Sequence, residues 1–206
     1  MPAACPCILI RSQTMSPTAN VLQTPSTATP AIDMAARQMP LQAHYQTTPA
    51  DAWITDHAST HSRSHAPSMP LYGHVTLQGG RPIELTYGVH TAVGGESDYP
   101  VPGELLCAAI AACFDSTLRI LANRFGIAFD ALEVQVDAEV DVRGTLLVDR
   151  AVPVGFQKIA LCARLSPSET PAPGVIERLM KAAEHSCVVL QTMRNGPEIT
   201  VRSEVL

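Results

Sequence analysis

The sequence predicts an α+β fold, and three observations carry that reading. Apolar residues alternate with period two over residues 71–77, 83–87 and 132–142; an Ala- and Leu-rich run fills residues 105–125; and strand and helix patterns follow one another in blocks. The order is strands, helix, strands, helix, strand.

Residues 1–38 are rich in Pro, Thr, Ser and Ala, with little apolar periodicity, and this composition predicts a disordered extension. Met15, Met34 and Met39 are alternative start positions that would shorten it. Residues 39–69 contain Tyr45, Trp53, His57, His61 and His65 without a clean helical or strand period, and read as an irregular lead-in. The domain itself is expected over residues 70–206.

Within that domain, residues 71–77 and 83–87 form two strands around the turn Gln78-Gly79-Gly80-Arg81-Pro82, a hairpin. The helix expected over 105–125 follows Pro102 and stops at Gly126. Its first turns are apolar nearly all round, so it belongs inside the protein. Residues 132–142 set Leu and Val against Glu133, Gln135, Asp137, Glu139 and Asp141, the pattern of a strand with one wet face. A further strand is expected over 155–165, an amphipathic helix over 174–184, and a closing strand over 198–206 after the break at Asn195-Gly196-Pro197.

Composition narrows the function. A net charge of -5 with scattered Lys and Arg gives no basic field for phosphate backbones, and 4% aromatic residues leaves few stacking platforms, so nucleic acid is not an expected partner. The longest apolar run, residues 105–114, is shorter than the roughly 18 residues of a membrane span, and the first ten residues lack the charged start of a secretory signal, so the expected location is the cytoplasm. No cofactor or metal is expected. Six cysteines without regular spacing do not describe a disulfide scaffold, and in a reducing compartment they stay thiols.

Two cysteines stand out. Cys113 lies inside the first helix with Ala109 and Thr117 on its side, small neighbours that leave room around sulfur. Cys187 lies near the end of the second helix in His185-Ser186-Cys187-Val188-Val189. A free cysteine on an apolar helix is usually a small hydrophobe, and Cys107 and Cys162 keep that reading. Cys5-Pro6-Cys7 offers two ligands, too few for a structural zinc. His57, His61 and His65 have the spacing of one helix face, but their Ser/Thr-rich surroundings read as a solvated segment.

The segment Glu104-Leu105-Leu106-Cys107-Ala108-Ala109-Ile110-Ala111-Ala112-Cys113-Phe114 resembles the signature of the OsmC family, an acidic residue, an apolar stretch and a cysteine on the central helix. Ala183-Glu184-His185-Ser186-Cys187 resembles the family's second-cysteine segment, and Val140-Asp141-Val142-Arg143-Gly144 and Pro153-Val154-Gly155-Phe156-Gln157 resemble its strand segments, in the right order. The resemblance implies an OsmC-like fold of antiparallel sheets around a long central helix, assembled as an intertwined homodimer with thiol pockets near the interface. It also implies a peroxidase of organic or fatty-acid hydroperoxides, with Cys113 attacking and Cys187 resolving, and an external dithiol as reductant.

In the organic-hydroperoxide branch an arginine and a glutamate accompany the cysteine. Here Gly103 and Glu104 straddle the acidic position, and Glu104 is the match to the broader family. Arg81, Arg119 and Arg143 are the arginine candidates; Arg119, six residues after Cys113, is about 120° away around the helix, and Arg81 in the hairpin turn is preferred. Val188 stands where many relatives carry proline. Two other functions compete: a module binding a small apolar ligand through unreactive thiols, and a Cys/His hydrolase using His185.

Overall fold

A computed structural model describes residues 32–62 and 65–205. Four helices, α1 (Met34–Thr47), α2 (Pro102–Phe125), α3 (Val175–Ser186) and α4 (Val188–Arg194), accompany five strands, β1 (Ala58–His61), β2 (Gly73–Leu77), β3 (Ile83–Tyr87), β4 (Phe129–Glu139) and β5 (Lys158–Pro167). The strands form two antiparallel sheets, β1-β2-β3 and β4-β5. The fold class is α+β, as the sequence predicts.

The central helix starts at Pro102, where proline's missing N–H costs nothing, and ends at Gly126, whose φ of 68° is the left-handed conformation that glycine adopts without a Cβ penalty. Phe114, Leu118 and Ala122 recur every four residues on one stripe of α2, and Leu179, Ala183 and Cys187 do the same along α3. These two stripes meet and form the buried core, with Leu132, Val134, Leu161, Ala163 and Leu165 of the β4-β5 sheet packed against them. The opposite face of that sheet is wet, as expected: Glu133 pairs with Arg164 at 2.8 Å and Glu139 with Lys158 at 2.6 Å across the strands.

The structure departs from the sequence reading at both ends. Residues 34–47 are helical, across the boundary between the expected extension and the expected lead-in. Asp33 caps the helix by accepting from the Ala36 N–H at 3.0 Å, and Asn123 at the end of α2 clamps it, accepting from Met34 N–H and donating to the Ile32 carbonyl, both at 2.8 Å. Tertiary contact overrides the interior Pro40 that obscures the pattern. The lead-in also contains β1, which exists because β2 offers it an edge. Residues 1–31, including Cys5 and Cys7, lie outside the described residues.

At the other end the expected strand over 198–206 is not formed among the described residues 198–205, which make no strand pairing. Ile199, Val201 and Val205 alternate as a strand would, yet they stand almost fully exposed. A period-two pattern needs a partner edge, and none pairs with it among the described residues. Residues 188–194 instead form the short helix α4.

Leu118 is fully buried where α2 meets α3. Leu118→Ala is expected to destabilise the fold by about 2–5 kcal/mol, measured by urea unfolding with an unchanged slope; a loss under about 0.5 kcal/mol would contradict this packing.

Candidate functional site

The packing of α2 on α3 brings the two distant cysteines together. Cys113 sits beside Phe114 on α2, half-buried against the core cluster, and Cys187 is the fully buried last member of the α3 stripe. The Cys187 thiol feels both the neighbouring Cys113 sulfur and the backbone N–H groups of Val189 and Leu190. Cys187 is both the C-cap of α3 and the N-cap of α4, with φ −75° and ψ 106°, so its thiol lies at the start of α4 without closing a side-chain capping bond there.

These contacts oppose one another electrostatically. Burial is the largest influence and pushes the Cys187 thiol up from its ordinary value of 9.0; the α4 amides pull it down, and the bond to Cys113 raises it again. Cys187 is therefore held as a protonated thiol beside the more accessible Cys113. Burial also raises the Cys107 thiol, helped by Asp137 and Glu104, which suits its structural reading. Cys162, paired with Gln135 across the β4-β5 ladder, is half-buried.

A cavity of about 410 Å³ lies beside the pair, between α2, β5, α3 and α4. Its apolar wall includes Ile110, Phe114, Phe156, Leu161, Met180 and Leu190. Phe114 and Leu190, which line it, also belong to the core cluster that holds the two cysteines, and neither cysteine lines the cavity. Glu184 and Arg194, an ion pair at 3.2 Å, also border the cavity.

The other expected site residues are not brought to the thiols within this chain. The Glu104 carboxylate accepts from the Val101 N–H at 2.9 Å at the start of α2, half of a capping box, because Val101 has no side-chain acceptor to return the bond. Nine residues before Cys113, Glu104 projects from the opposite side of the helix, about 13 Å along its axis. Arg81 lies in the exposed β2-β3 turn, while the elements packed on α2 are β4, α3, α4 and α1. Arg119 is engaged by Asp115 at 2.7 Å and Arg143 by Asp141 at 2.9 Å. His185 is exposed on the last turn of α3.

Sequence reasoning missed α4 and with it the amides that face Cys187. The signal was present in the cysteine itself, an acceptor between two helical stretches, and in Val188. Val188 occupies the first position of α4, where proline is readily accommodated, and the extended ψ of Cys187 suits a following proline. The residue that relatives carry there and the valine here thus serve the same geometry.

Two α-helices bearing a paired dithiol over an antiparallel sheet, beside an apolar cavity, define a dithiol α+β domain. A family model described as OsmC-like protein matches residues 94–202. The chain belongs to the OsmC-like family. Among solved structures, an organic hydroperoxide resistance protein OsmC from Legionella pneumophila is 24% identical, with a TM-score of 0.51, covering 69% of this chain and 90% of that one. An OsmC-like protein of unknown function from Vibrio cholerae is 12% identical at a TM-score of 0.55, over 68% of this chain and 94% of that one. An OsmC-like protein from Mycoplasma pneumoniae is 12% identical at 0.53, over 69% and 89%. At these identities the likeness concerns the fold. None of the curated proteins matches the chain.

Three outcomes are expected from this geometry. Because the folded chain keeps the Cys187 proton to higher pH than the unfolded chain, its contribution to stability is full below the ordinary value of 9.0 and is lost as pH rises through the folded value. Under reducing conditions Tm should therefore fall between neutral pH and pH 10 more steeply in the wild type than in Cys187→Ala; equal slopes would contradict the assignment. Glu104→Ala should cost about 0.5–2 kcal/mol through loss of the cap, while leaving the rate of Cys113 alkylation unchanged. Val188→Pro should preserve or raise stability by up to about 1 kcal/mol, read as denaturation midpoint.

Proposed function

We propose that this protein is a thiol-dependent peroxidase that reduces organic or fatty-acid hydroperoxides. The observation that carries the reading is the asymmetric thiol pair: a half-buried Cys113 packed against the core cluster that contains a buried, protonated Cys187, with an apolar-walled cavity between the same helices. The Cys113 thiolate attacks the terminal peroxide oxygen, the O–O bond breaks, and the alkoxide leaves as the alcohol after taking a proton, with Cys113 left as a sulfenic acid. Cys187 then attacks that sulfur; its proton and the sulfenic hydroxyl leave as water, and a Cys113-Cys187 disulfide forms. An external dithiol exchanges with the disulfide, is itself oxidised, and restores both thiols. The hydroperoxide resistance described for the Legionella pneumophila relative agrees with this chemistry.

The working unit in this reading is a homodimer in the cytoplasm. Helix α2 has a mean hydropathy of 1.8 over an 18-residue window, as apolar as a membrane span, yet only 28% of that window is buried in the single chain. Leu77, Ile83 and Leu85 leave an apolar face of the β1-β2-β3 sheet exposed, and residues 198–205 form no strand pairing among the described residues. A second copy that covers these surfaces also offers a route for Arg81 to approach a thiol pair from the other subunit, supplying the cation that a reactive thiolate needs.

One observation favours a second reading, an unreactive module that binds a small apolar ligand. In the single chain Glu104 caps a helix and Arg81 stands in a turn away from α2, so no partner of the expected kind faces Cys113 among the described residues.

The discriminating experiment is intact mass of the reduced protein after one equivalent of cumene hydroperoxide. The peroxidase reading predicts loss of two hydrogens in the wild type, an oxygenated Cys113 in Cys187→Ser, and no reaction in Cys113→Ser. Unchanged mass in all three would leave the binding module as the function.

A further inference from the structure

The most concentrated set of chemistry-bearing side chains outside the thiol pair lies on one face of the β1-β2-β3 sheet. The strand register sets His61 opposite His74 and His74 opposite Thr86, and Glu84 lies two residues from Thr86 on the same face. His74 is only 8% exposed, an unusual burial for a polar ring on a three-stranded sheet. The His65 and His61 rings stack on it with centroids at 4.8 and 5.9 Å.

We propose that this face binds a divalent cation of the zinc type, held by His61 Nε2, His74 Nδ1 and the Glu84 carboxylate, with a fourth position open to water. The proposal is independent of the peroxidase reading. The distances carry it. His61 Nε2 lies 3.5 Å from Glu84 Oε2, and His74 Nδ1 lies 3.7 Å from Glu84 Oε1. Both are longer than a hydrogen bond of about 2.7–3.2 Å. They approach the roughly 3.3 Å that separates two ligand atoms held 2.0–2.1 Å from one tetrahedral centre.

The other side of the buried ring has the arrangement that metal-bound histidines use. His74 Nε2 faces His65 Nδ1 at 3.0 Å. The tautomer that donates Nε2–H to His65 turns the Nδ1 lone pair toward Glu84, and Thr86 Oγ1 stands 3.2 Å from the same nitrogen. In that tautomer the Thr86 hydroxyl donates to the Nδ1 lone pair, and a cation at the site takes the hydroxyl's place and joins Nδ1 to the half-exposed Glu84 carboxylate. As the side chains stand, no three of these groups meet at one point among the described residues. Glu84 is half exposed on a rotatable side chain, so closing the site moves that carboxylate and leaves the buried ring in place.

Two imidazoles and one carboxylate select zinc and its first-row neighbours over magnesium or calcium, which prefer all-oxygen shells. A bound ion would tie the four-residue strand β1 to β2 and β3.

The test is titration of the reduced, chelator-stripped full-length protein with Co²⁺, read by visible absorption, followed by displacement with Zn²⁺. The site predicts one equivalent bound without a thiolate-to-cobalt charge-transfer band. His61→Gln and Glu84→Gln should each weaken binding more than tenfold, and His65→Ala about 10- to 100-fold through loss of orientation. The Cys5→Ser/Cys7→Ser and Cys113→Ser/Cys187→Ser variants should bind as the wild type does. Glu84→Gln changes a half-exposed, isosteric side chain, and circular dichroism checks that it folds. Absence of one-equivalent binding, binding undiminished by His61→Gln and Glu84→Gln, or binding lost with the cysteines would each overturn the proposal.

Discussion

The contact between the Phe114–Leu118–Ala122 stripe of α2 and the Leu179–Ala183–Cys187 stripe of α3 supports everything else in this protein. Each fully buried Phe or Leu side chain contributes about 1.5–3 kcal/mol on leaving water. The same contact determines the chemistry. Cys187 is a member of the stripe rather than an ornament on it, so the force that closes the core also seats one thiol against the other. No separate device is needed to join two cysteines so far apart in the chain.

The pair is unequal, and the inequality has a physical source. Cys187 is sealed from solvent at the junction of two helices, where burial outweighs the pull of the α4 amides and keeps the proton on sulfur. Cys113 is half-buried on the helix face beside Phe114 and the apolar cavity. A thiol that attacks needs access, whereas a thiol that resolves needs only proximity and a proton to give up. None of the three expected arginines stands ready beside Cys113 among the described residues: Arg119 and Arg143 are engaged by Asp115 and Asp141, and Arg81 lies in the turn of a different sheet. The exposed apolar residues of α2 and of the β1-β2-β3 sheet are the surfaces that the proposed homodimer would cover.

Much of this was legible in the sequence, and the remainder was hidden for identifiable reasons. The hairpin, α2, β4, β5 and α3 each carry a complete apolar period and conventional stop residues within one stretch of chain, so local reasoning finds them. Helix α1 was obscured because Pro40 interrupts it and its anchor, Asn123, is remote in sequence. Helix α4 has only seven residues, too few for a period to be seen. Residues 198–205 show the converse: a clear strand pattern that finds no paired edge among the described residues. At the site, Cys113 and Cys187 were singled out through family likeness and the fold packs them in one core cluster, while the Glu104 carboxylate, given a chemical role from the same likeness, accepts a capping bond at the start of α2. His61 and His65 read as a solvated stretch because their partners, His74 and Glu84, reach them across strands rather than along a helix.

The central claim is that the thiol pair turns over peroxide rather than merely lying near it. Quantifying the alcohol released from an organic hydroperoxide, first by the reduced protein alone and then with a dithiol present, tests this most directly. The account predicts one alcohol per chain in the first case, continuing turnover in the second, and neither in Cys113→Ser. Alcohol release no greater than that of Cys113→Ser would contradict it.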